Sequence, residues 1–358
     1  MECQETIHVE KMPKKGPWIF VADVGGTKTT FGLIREGKKG LELILSLYCY
    51  SNTITSFTKA VQEVLVHLEE HYKIVPTRAC CGVAGVVSPE RDFSTPTNLS
   101  FTVDAKKLMQ STLLQSVAII NDFEANAYGI QAAPEKCIAT IKPPEQALDI
   151  HATKAILGAG TGLGKSTIIW SKLLKNYVPH PSEGGHGDAS LQHEQEFKLA
   201  KFIRARHKKK DRPISWEDIL SGRGLQTIYM FLGKSGDYKQ TATAKEIAAH
   251  NYDPSLIAKH RKKDPQSKDT FELFTTLYAR CAKNFALDTL ARGGIYLAGG
   301  IAAKNLELWR SKAFLDEFHR CEKMGAILRE IPLYVITEPL LALYGCGAYV
   351  LLQEKQSH

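Results

Sequence analysis

The sequence predicts an α/β fold of two domains with a ligand-binding cleft between them. Its 358 residues are more than a single hydrophobic core usually organises. Two segments share one plan, in which a glycine turn joins two apolar, β-branched strands: DVGGTKTTFGLI from residue 23 and GAGTGLGKSTIIW from residue 158. This repeated hairpin indicates two related halves, and a cleft between such halves is a common place for a ligand.

The elements of the first half follow from the spacing of its apolar residues. After the first hairpin, LELILSLYCYS is β-rich, and SFTKAVQEVLVHLEEHYK has the pattern of an amphipathic helix. RACCGVAGVVS is typical of a buried strand, and FTVDAKKLMQSTLL of a short helix with Asp104 as N-cap. SVAIINDFEANAYGI predicts a strand that stops at Asn121-Asp122 and turns into a helix.

The second half starts with the second hairpin and continues as a mostly helical region from HEQEFKLAKFIRAR to FELFTTLYARCAKNFALDTLAR. IYLAGGIAAKNLELW then predicts a strand, a glycine pair and a helix, and the chain closes with a strand and a glycine-containing helix. We therefore predict a smaller domain of residues 17–132 completed by 338–358, and a larger domain of residues 133–337.

Composition favours an ordinary globular protein, with 44% hydrophobic and 23% charged residues. No apolar run approaches the ~18 residues that span a bilayer, and the N-terminus lacks the apolar segment of a secretory signal. The eight cysteines show no C-x-x-C spacing. We therefore expect a cytoplasmic protein with reduced thiols, without a disulfide framework or a zinc site.

The net charge of +8 and the runs HKKKDR (207–212) and KHRKKD (259–264) raise the question of nucleic-acid binding. Both runs lie between predicted helices and have no interleaved aromatic residues for base stacking. We expect solvated loops and no nucleic-acid partner, while a modest positive field would attract a polyanion such as ATP.

The two glycine turns suit phosphate binding, because backbone N–H groups without a neighbouring Cβ can converge on an anion. Asp23 beside the first turn could hold Mg²⁺, directly or through water. The alternative is an ordinary hairpin with glycines at positive φ. LGAGTGLGKS (157–166) is not a strict P-loop, because Ala159 replaces the first glycine and the following residues predict a strand, not a helix.

Two further segments carry candidate chemistry. Asp122 follows an apolar strand and could act as a general base, although Asn121 or Asp122 could instead simply cap the helix. In SEGGHGD (182–188), Glu183 and His186 could hydrogen-bond a polyol. A metal site is a weak alternative with one His, and a plain loop remains another.

Seven motifs are placed in order along the chain: DVGGTK (23–28), TNLSF (97–101), IINDFEA (119–125), GAGTGLG (158–164), SEGGHGD (182–188), WEDILSGRGL (216–225) and YLAGGI (296–301). Together they resemble the bacterial glucokinase family, within the hexokinase and actin-like ATPase superfamily. The resemblance implies a two-domain actin-like ATPase (ribonuclease H-like) fold with an interdomain active-site cleft. It also implies ATP-dependent, Mg²⁺-assisted phosphorylation of glucose to glucose 6-phosphate, the first step of glycolysis.

The resemblance also implies roles by position. Asp122 would be the general base on the sugar 6-hydroxyl, and Asp23 would place Mg²⁺ through water in preference to direct contact. The sugar would be bound by Asn98, Asn121, Asp122, Glu183, His186 and Glu217. ATP would contact Gly25, Gly26 and Thr27 at the γ-phosphate, Gly160, Thr161 and Gly162 at the inner phosphates, and Gly299 and Gly300 at the adenosine.

Some alternatives stay open at this point. Lys28 stands where the family commonly has Asn, and Lys165 and Ser166 are also outside its usual pattern. The protein could phosphorylate another hexose or an amino sugar, or use another phosphoryl donor. A catalytically inactive sugar-sensing regulator is disfavoured, because only a short segment precedes the first strand, there is no Cys cluster, and Asp122 is present. Family precedent suggests a homodimer.

Overall fold

The protein is described by a computed structural model that covers residues 3–37, 40–96 and 99–356. The chain forms two compact units. The first contains residues 1–137, 170–181 and 338–358, and the second contains residues 138–169 and 182–337.

The described strands are β1 (Cys3–Ile7), β2 (Trp18–Val24), β3 (Lys28–Gly37), β4 (Gly40–Tyr50), β5 (Arg78–Val83), β6 (Gly85–Val87), β7 (Phe93–Pro96), β8 (Val103–Asp104), β9 (Ser116–Asn121), β10 (Ile138–Lys142), β11 (Lys154–Ala159), β12 (Leu163–Ser171), β13 (Asn176–Ser182), β14 (Gly294–Ala298) and β15 (Leu333–Ile336).

The described α-helices are α1 (Phe57–Tyr72), α2 (Ala105–Ser111), α3 (Asp122–Ala132), α4 (Glu194–Arg206), α5 (Trp216–Ile219), α6 (Gly222–Gly233), α7 (Ala242–Ala249), α8 (Pro254–His260), α9 (Pro265–Thr289), α10 (Gly300–Ala303), α11 (Leu306–Trp309), α12 (Lys312–His319), α13 (Gly325–Glu330) and α14 (Leu341–Gln356). Short 3₁₀ helices span Ser51–Thr53 and Glu135–Cys137.

The first unit is built on a sheet with the order β1-β4-β3-β2-β5-β9. The first four strands in this order, β1, β4, β3 and β2, pair antiparallel, whereas β2, β5 and β9 are parallel. A small sheet of β6, β7 and β8 accompanies it. The carboxyl ends of β2 and β9 therefore meet at one edge of the main sheet, and functional side chains of open α/β sheets concentrate at such an edge.

Local sequence signals account for the helices of the first unit. α1 begins after Ser56, whose side chain accepts from the Lys59 N–H, and it buries an apolar stripe that includes Val61, Val64 and Leu68. α2 begins after Asp104, whose carboxylate accepts from the Lys107 N–H at 3.1 Å. Both predicted helices and the Asp104 cap are confirmed.

The backbones of α3 and α14 lie in close contact, because a glycine on each helix faces the backbone of the other helix. A Cβ added to Gly345 would lie 1.7 Å from the Ala125 carbonyl oxygen, and one added to Gly129 would lie 2.3 Å from the Leu341 carbonyl oxygen. Only glycine allows this approach. The C-terminal helix is thereby joined to the helix that starts with Asp122.

The second unit has its own sheet, which includes strands in the order β10-β15-β14-β11-β12. β11, β14 and β15 are parallel, and β12 returns antiparallel to β11 as the second glycine hairpin. The long helix α9 buries much of its surface in the core of this unit, with Phe274, Leu277, Tyr278 and Cys281 fully buried. The predicted strand, glycine turn, strand order of this half is confirmed.

Cys3 and Cys49 form a disulfide, which corrects the expectation of reduced thiols throughout. β1 pairs with β4 so that Cys3 lies directly opposite Cys49, with the Cα atoms 4.5 Å apart. The expectation rested on the absence of C-x-x-C spacing and of a secretory signal, and a pair separated by 46 residues becomes adjacent only through long-range strand pairing. The other six cysteines are free, and five of them are buried. Among the described helices, none combines the length and apolar character needed to cross a bilayer.

Gly345→Ala is expected to lower the unfolding temperature strongly, because its Cβ would collide with the α3 backbone and force α14 away. Overpacking of this kind typically costs about 1–3 kcal/mol, and a backbone clash belongs at the upper end. Gly347→Ala is the matched control, since its Cβ would lie 3.1 Å from the flexible end of Leu41. Thermal unfolding of the two variants measures the difference, and equal unfolding temperatures would contradict the packing argument.

Candidate active site

Ser51 stabilises the first glycine turn, between β2 and β3, through hydrogen bonds. The Gly25 N–H donates to the Lys28 carbonyl at 2.9 Å, which closes the turn. The Ser51 hydroxyl donates to the Gly25 carbonyl at 2.6 Å, and the Ser51 N–H donates to the Thr27 carbonyl at 3.0 Å. The Thr29 hydroxyl lies 2.9 Å from that of Ser51. The sequence analysis missed Ser51, because a serine after a strand carries no signal that it faces a distant turn.

Asp23 and Asp122 lie at the same edge of the sheet and act on each other electrostatically. In the strand register Asp23 is level with Gly82, and Asn121 is level with Val83, so that only β5 lies between them. Burial raises the pKa of Asp23 to about 7, and the negative charge of Asp122 adds to the increase. A carboxyl group whose pKa lies near neutral pH and that lies beside a second carboxylate is typical of functional sites.

The structure decides which of two adjacent residues caps α3. The Asn121 side-chain oxygen accepts from the N–H groups of Phe123 and Glu124 at 2.9 and 3.2 Å. Its amide nitrogen donates to the Gly85 carbonyl at 3.4 Å. Asn121 is therefore the N-cap, and Asp122, as the first residue of α3, does not serve that purpose. Asn98, the remaining predicted sugar ligand on this side, lies outside the described residues.

In the second unit, Glu217 holds the second glycine hairpin. The β11–β12 turn is closed by a bond from the Gly160 N–H to the Gly162 carbonyl at 2.8 Å. One oxygen of the Glu217 carboxylate accepts from the Leu163 N–H at 3.0 Å, and the other lies 3.3 Å from the Arg223 guanidinium. A side chain at Gly162 would collide with this carboxylate at 2.5 Å. Glycine at 162 thus makes room for Glu217.

The SEGGHGD loop is joined to the same hairpin and to α5. The N–H groups of Trp216 and Glu217 donate to the carbonyls of Gly187 and Gly185 at 3.0 and 2.9 Å. A Cβ at Gly185 would lie 1.9 Å from the Leu163 carbonyl oxygen, so the loop backbone packs directly on the hairpin. Three segments that the sequence analysis singled out separately therefore form one backbone cluster.

The side chains of Glu183 and His186 project from this loop into solvent. Their relative exposures are 76% and 64%, and the carboxylate and imidazole atoms are 3.7 Å apart. Within the described ranges, no group of three or more His, Cys, Asp or Glu side chains is arranged to hold a metal ion.

Gly299 and Gly300 follow β14 beside the same hairpin. Gly299 has φ 88°, and a Cβ there would lie 2.5 Å from the Ala159 carbonyl oxygen, so both its conformation and its packing require glycine. The Gly222 N–H donates to the Gly160 carbonyl at 2.9 Å. The predicted ligand-binding residues of the second unit thus lie in neighbouring segments, namely the hairpin turn, the SEGGHGD loop, helix α5 and the start of helix α10.

The turn glycines do not have the positive φ of the ordinary-hairpin alternative. Neither Gly25, Gly160 nor Gly162 has φ in the left-handed region. A Cβ at Gly160 would meet no protein atom within 4 Å, so neither packing nor conformation requires glycine there. The prediction that LGAGTGLGKS is not a P-loop is confirmed, because Lys165 and Ser166 lie within strand β12.

The two lysines outside the family pattern have different surroundings. Lys28 is exposed, and its ammonium lies 5.1 Å from the centre of the Tyr48 ring. Lys165 is only 7% exposed, with its ammonium 5.3 Å from the centre of the Phe285 ring. A Cβ at Gly184 would lie 3.0 Å from the Lys165 Cδ, so the aliphatic part (the stem) of the lysine side chain packs against the SEGGHGD loop.

Comparison with known proteins decides the family. The family model described as Glucokinase matches residues 20–353, a range that contains every predicted site residue. A glucokinase of Nostoc punctiforme is 33% identical over 345 residues, which cover 92% of this chain and 97% of that relative. The chain belongs to the glucokinase family. The family and the enzyme class predicted from the sequence are confirmed.

Solved structures of other glucokinases share the fold of this family member. The glucokinase of an Antarctic psychrotroph superposes with a TM-score of 0.76 at 23% identity, covering 94% of this chain and 99% of that one. The glucokinase of Balamuthia mandrillaris, solved in complex with glucose, gives a TM-score of 0.78 at 23% identity, covering 94% and 93%. The predicted α/β actin-like ATPase fold is therefore confirmed.

Asp23→Asn is expected to stabilise this glucokinase-family protein at pH 8 and to leave its stability unchanged near pH 4. The folded-state pKa of Asp23, about 7, lies above the ordinary value of 3.8. Between these values the unfolded chain releases a proton that the folded protein keeps, so this group lowers stability as the pH rises. Unfolding temperatures across pH 4–8 measure the effect. Asp104→Asn, which keeps an N-cap, is the control, and an Asp23→Asn effect independent of pH would contradict the assignment.

Lys165→Ala is expected to lower the free energy of unfolding by about 2 kcal/mol or more, because it removes a buried stem and leaves a cavity beneath Gly184. Lys165→Met keeps the stem and should lose much less. Denaturant titration of both variants tests this, and equal losses would show that the ammonium, not the stem, supports the loop.

Proposed function

We propose that this protein transfers the γ-phosphoryl group of ATP to the 6-hydroxyl of glucose, giving ADP and glucose 6-phosphate in the first step of glycolysis. The observation that carries the proposal is the position of Asp122 in a chain of the glucokinase family. Asp122 begins α3 at the sheet edge shared with Asp23 and the first glycine turn, while its neighbour Asn121 does the capping.

Asp122 acts as the general base. Its carboxylate accepts the proton of the sugar 6-hydroxyl as the oxygen attacks the γ-phosphorus, and the bond to the β,γ-bridging oxygen breaks to release ADP. This reaction depends on positioning and charge neutralisation more than on covalent chemistry. An Asp at the first position of a capped helix is held on a rigid element, which suits that requirement.

The sugar hydroxyls are bound by Asn98, Asn121, Glu183, His186 and Glu217 in this proposal. The exposed Glu183 and His186 side chains are accessible to a polyol, and a carboxylate and an imidazole can together accept and donate hydrogen bonds. Glu217 has one oxygen committed to the Leu163 N–H. It therefore joins the binding of the sugar to the position of the second glycine hairpin.

The glycine turns bind the nucleotide. Gly25, Gly26 and Thr27 meet the γ-phosphate, and Gly160, Thr161 and Gly162 meet the inner phosphates. The backbone supports this assignment at Gly160, where neither φ nor packing explains a glycine but close approach of a phosphate would. Gly299 and Gly300 lie against the adenosine.

Asp23 fits a role toward Mg²⁺, since this ion is held by one or two carboxylates, phosphate oxygens and water and not by a cage of protein ligands. When bound, Mg²⁺ neutralises phosphate charge. Asp23 would contact it through water, and its ionised form is the one that binds. We also propose a cytoplasmic location and, as the family resemblance suggests, a homodimer.

The test is a coupled assay of the purified protein with glucose, ATP and Mg²⁺. Asp122→Asn is expected to lower kcat by about 10²–10⁴-fold, the usual contribution of a general base, with the KM for glucose changed little. Asp316→Asn, an exposed site paired with Lys312, is the matched control and should keep the parent rate.

A panel of hexoses and amino sugars belongs in the same experiment. Turnover of another sugar at much higher kcat/KM than glucose would replace the substrate and keep the reaction class. A folded parent protein that phosphorylates none of them, or an Asp122→Asn variant as fast as the parent, would overturn the proposal.

A further inference from the structure

Arg91 contacts both the strand that precedes Asp122 and the helix that starts with Asp122. It lies in the connection between β6 and β7, and its carbonyl accepts from the Ile119 N–H at 2.8 Å. Ile119 belongs to β9, the edge strand of the six-stranded sheet, so its partner on this side comes from a loop and not from another strand. The Arg91 backbone thereby fixes β9 just before it ends.

The Arg91 side chain holds the helix that follows. Its Nη1 donates to one oxygen of the Glu124 carboxylate at 2.9 Å, and its Nη2 lies 2.9 Å from the other oxygen, so that the two groups form an ion pair. The Glu124 side chain is only 3% exposed, and the guanidinium lies 5.2 Å from the centre of the Tyr349 ring. Glu124 is in the first turn of α3, two residues after Asp122.

The backbone of Arg91 is also unusual. Its φ of 57° is in the left-handed region, which a residue with a Cβ seldom adopts. The Arg91 N–H donates to the Ser88 carbonyl at 2.9 Å, which holds the turn in this form. Strained conformations of this kind persist where the surroundings demand them, and they are frequent near functional sites.

We propose that Arg91 is a positioning residue for the reaction, which fixes the general base Asp122 by contacting the strand before it and the helix after it. Arg91 itself touches neither substrate. The inference rests on the proposed role of Asp122. The alternative is that the Arg91–Glu124 pair only contributes to the stability of the first unit.

Kinetics separate the two alternatives. Arg91→Met is expected to lower kcat by about 10–100-fold, because small displacements of a reacting group are costly, while the KM values for glucose and ATP change little. Arg91→Lys keeps the charge but not the planar fork, and should recover part of the rate. Arg35→Met removes an arginine paired with Glu42 between β3 and β4 and is the matched control, with the parent kcat expected.

A double variant removes the effect of an unpaired buried charge. Arg91→Met alone leaves the Glu124 carboxylate buried without its partner, which destabilises the protein. Arg91→Met/Glu124→Leu should recover most of the lost unfolding temperature and still have a low kcat. If kcat returns to the parent value together with the unfolding temperature, the pair is only structural and the proposal is wrong.

Amide hydrogen exchange gives a readout that does not depend on sugar phosphorylation. Arg91→Met is expected to speed exchange at Phe123 and Glu124, the amides capped by Asn121, more than in α1 of the same unit. Unchanged exchange there would overturn the positioning role even if the protein phosphorylates a sugar. Faster exchange in a protein that phosphorylates no sugar would instead show that the proposed function is wrong, although Arg91 does stabilise the start of α3.

Discussion

The close contact between α3 and α14 determines where the candidate base lies. Gly129 and Gly345 allow the backbones of two helices to touch, and Gly82 on β5 leaves room for Ala125 on the same side, with a would-be Cβ only 3.0 Å away. The helix that starts with Asp122 is therefore held between a sheet and the C-terminal helix. Because interiors are close-packed, a shift at this contact would be transmitted to the end of β9.

A comparable constraint organises the second unit, where backbone touches backbone at the glycine hairpin. Leu163 is held by Glu217 on its N–H and by Gly185 on its carbonyl, so one residue joins the hairpin to the loop of Glu183 and His186. Further along, Arg280 is fully buried between Glu196 and Glu317 and donates to the Ser190 carbonyl. This buried network anchors the chain directly after the SEGGHGD loop, and loss of any partner would leave an unpaired buried charge.

Much of the fold and the family could be predicted because those signals are local. Strand alternation, the α1 stripe and the Asp104 cap depend on residues within one or two turns of each other, and the motifs lie in a fixed order. The cysteines show the limit of this reasoning. Cys3 and Cys49 are neighbours only because β1 pairs with β4, and no spacing rule reveals that pairing. The burial of Lys165 and the clamp of Arg91 on Glu124 were missed for the same reason.

The sequence by itself determined the element order, the glycine turns, the position of Asp122 at a strand end and the family to which the chain belongs. Only the tertiary structure decided that Asn121 and not Asp122 caps α3, and that Glu217 holds the hairpin. It also decided that burial and the charge of Asp122 raise the pKa of Asp23. The physical reason is that helix and strand propensities act between near neighbours. Caps, pKa values and ion pairs depend instead on which distant groups packing brings into contact.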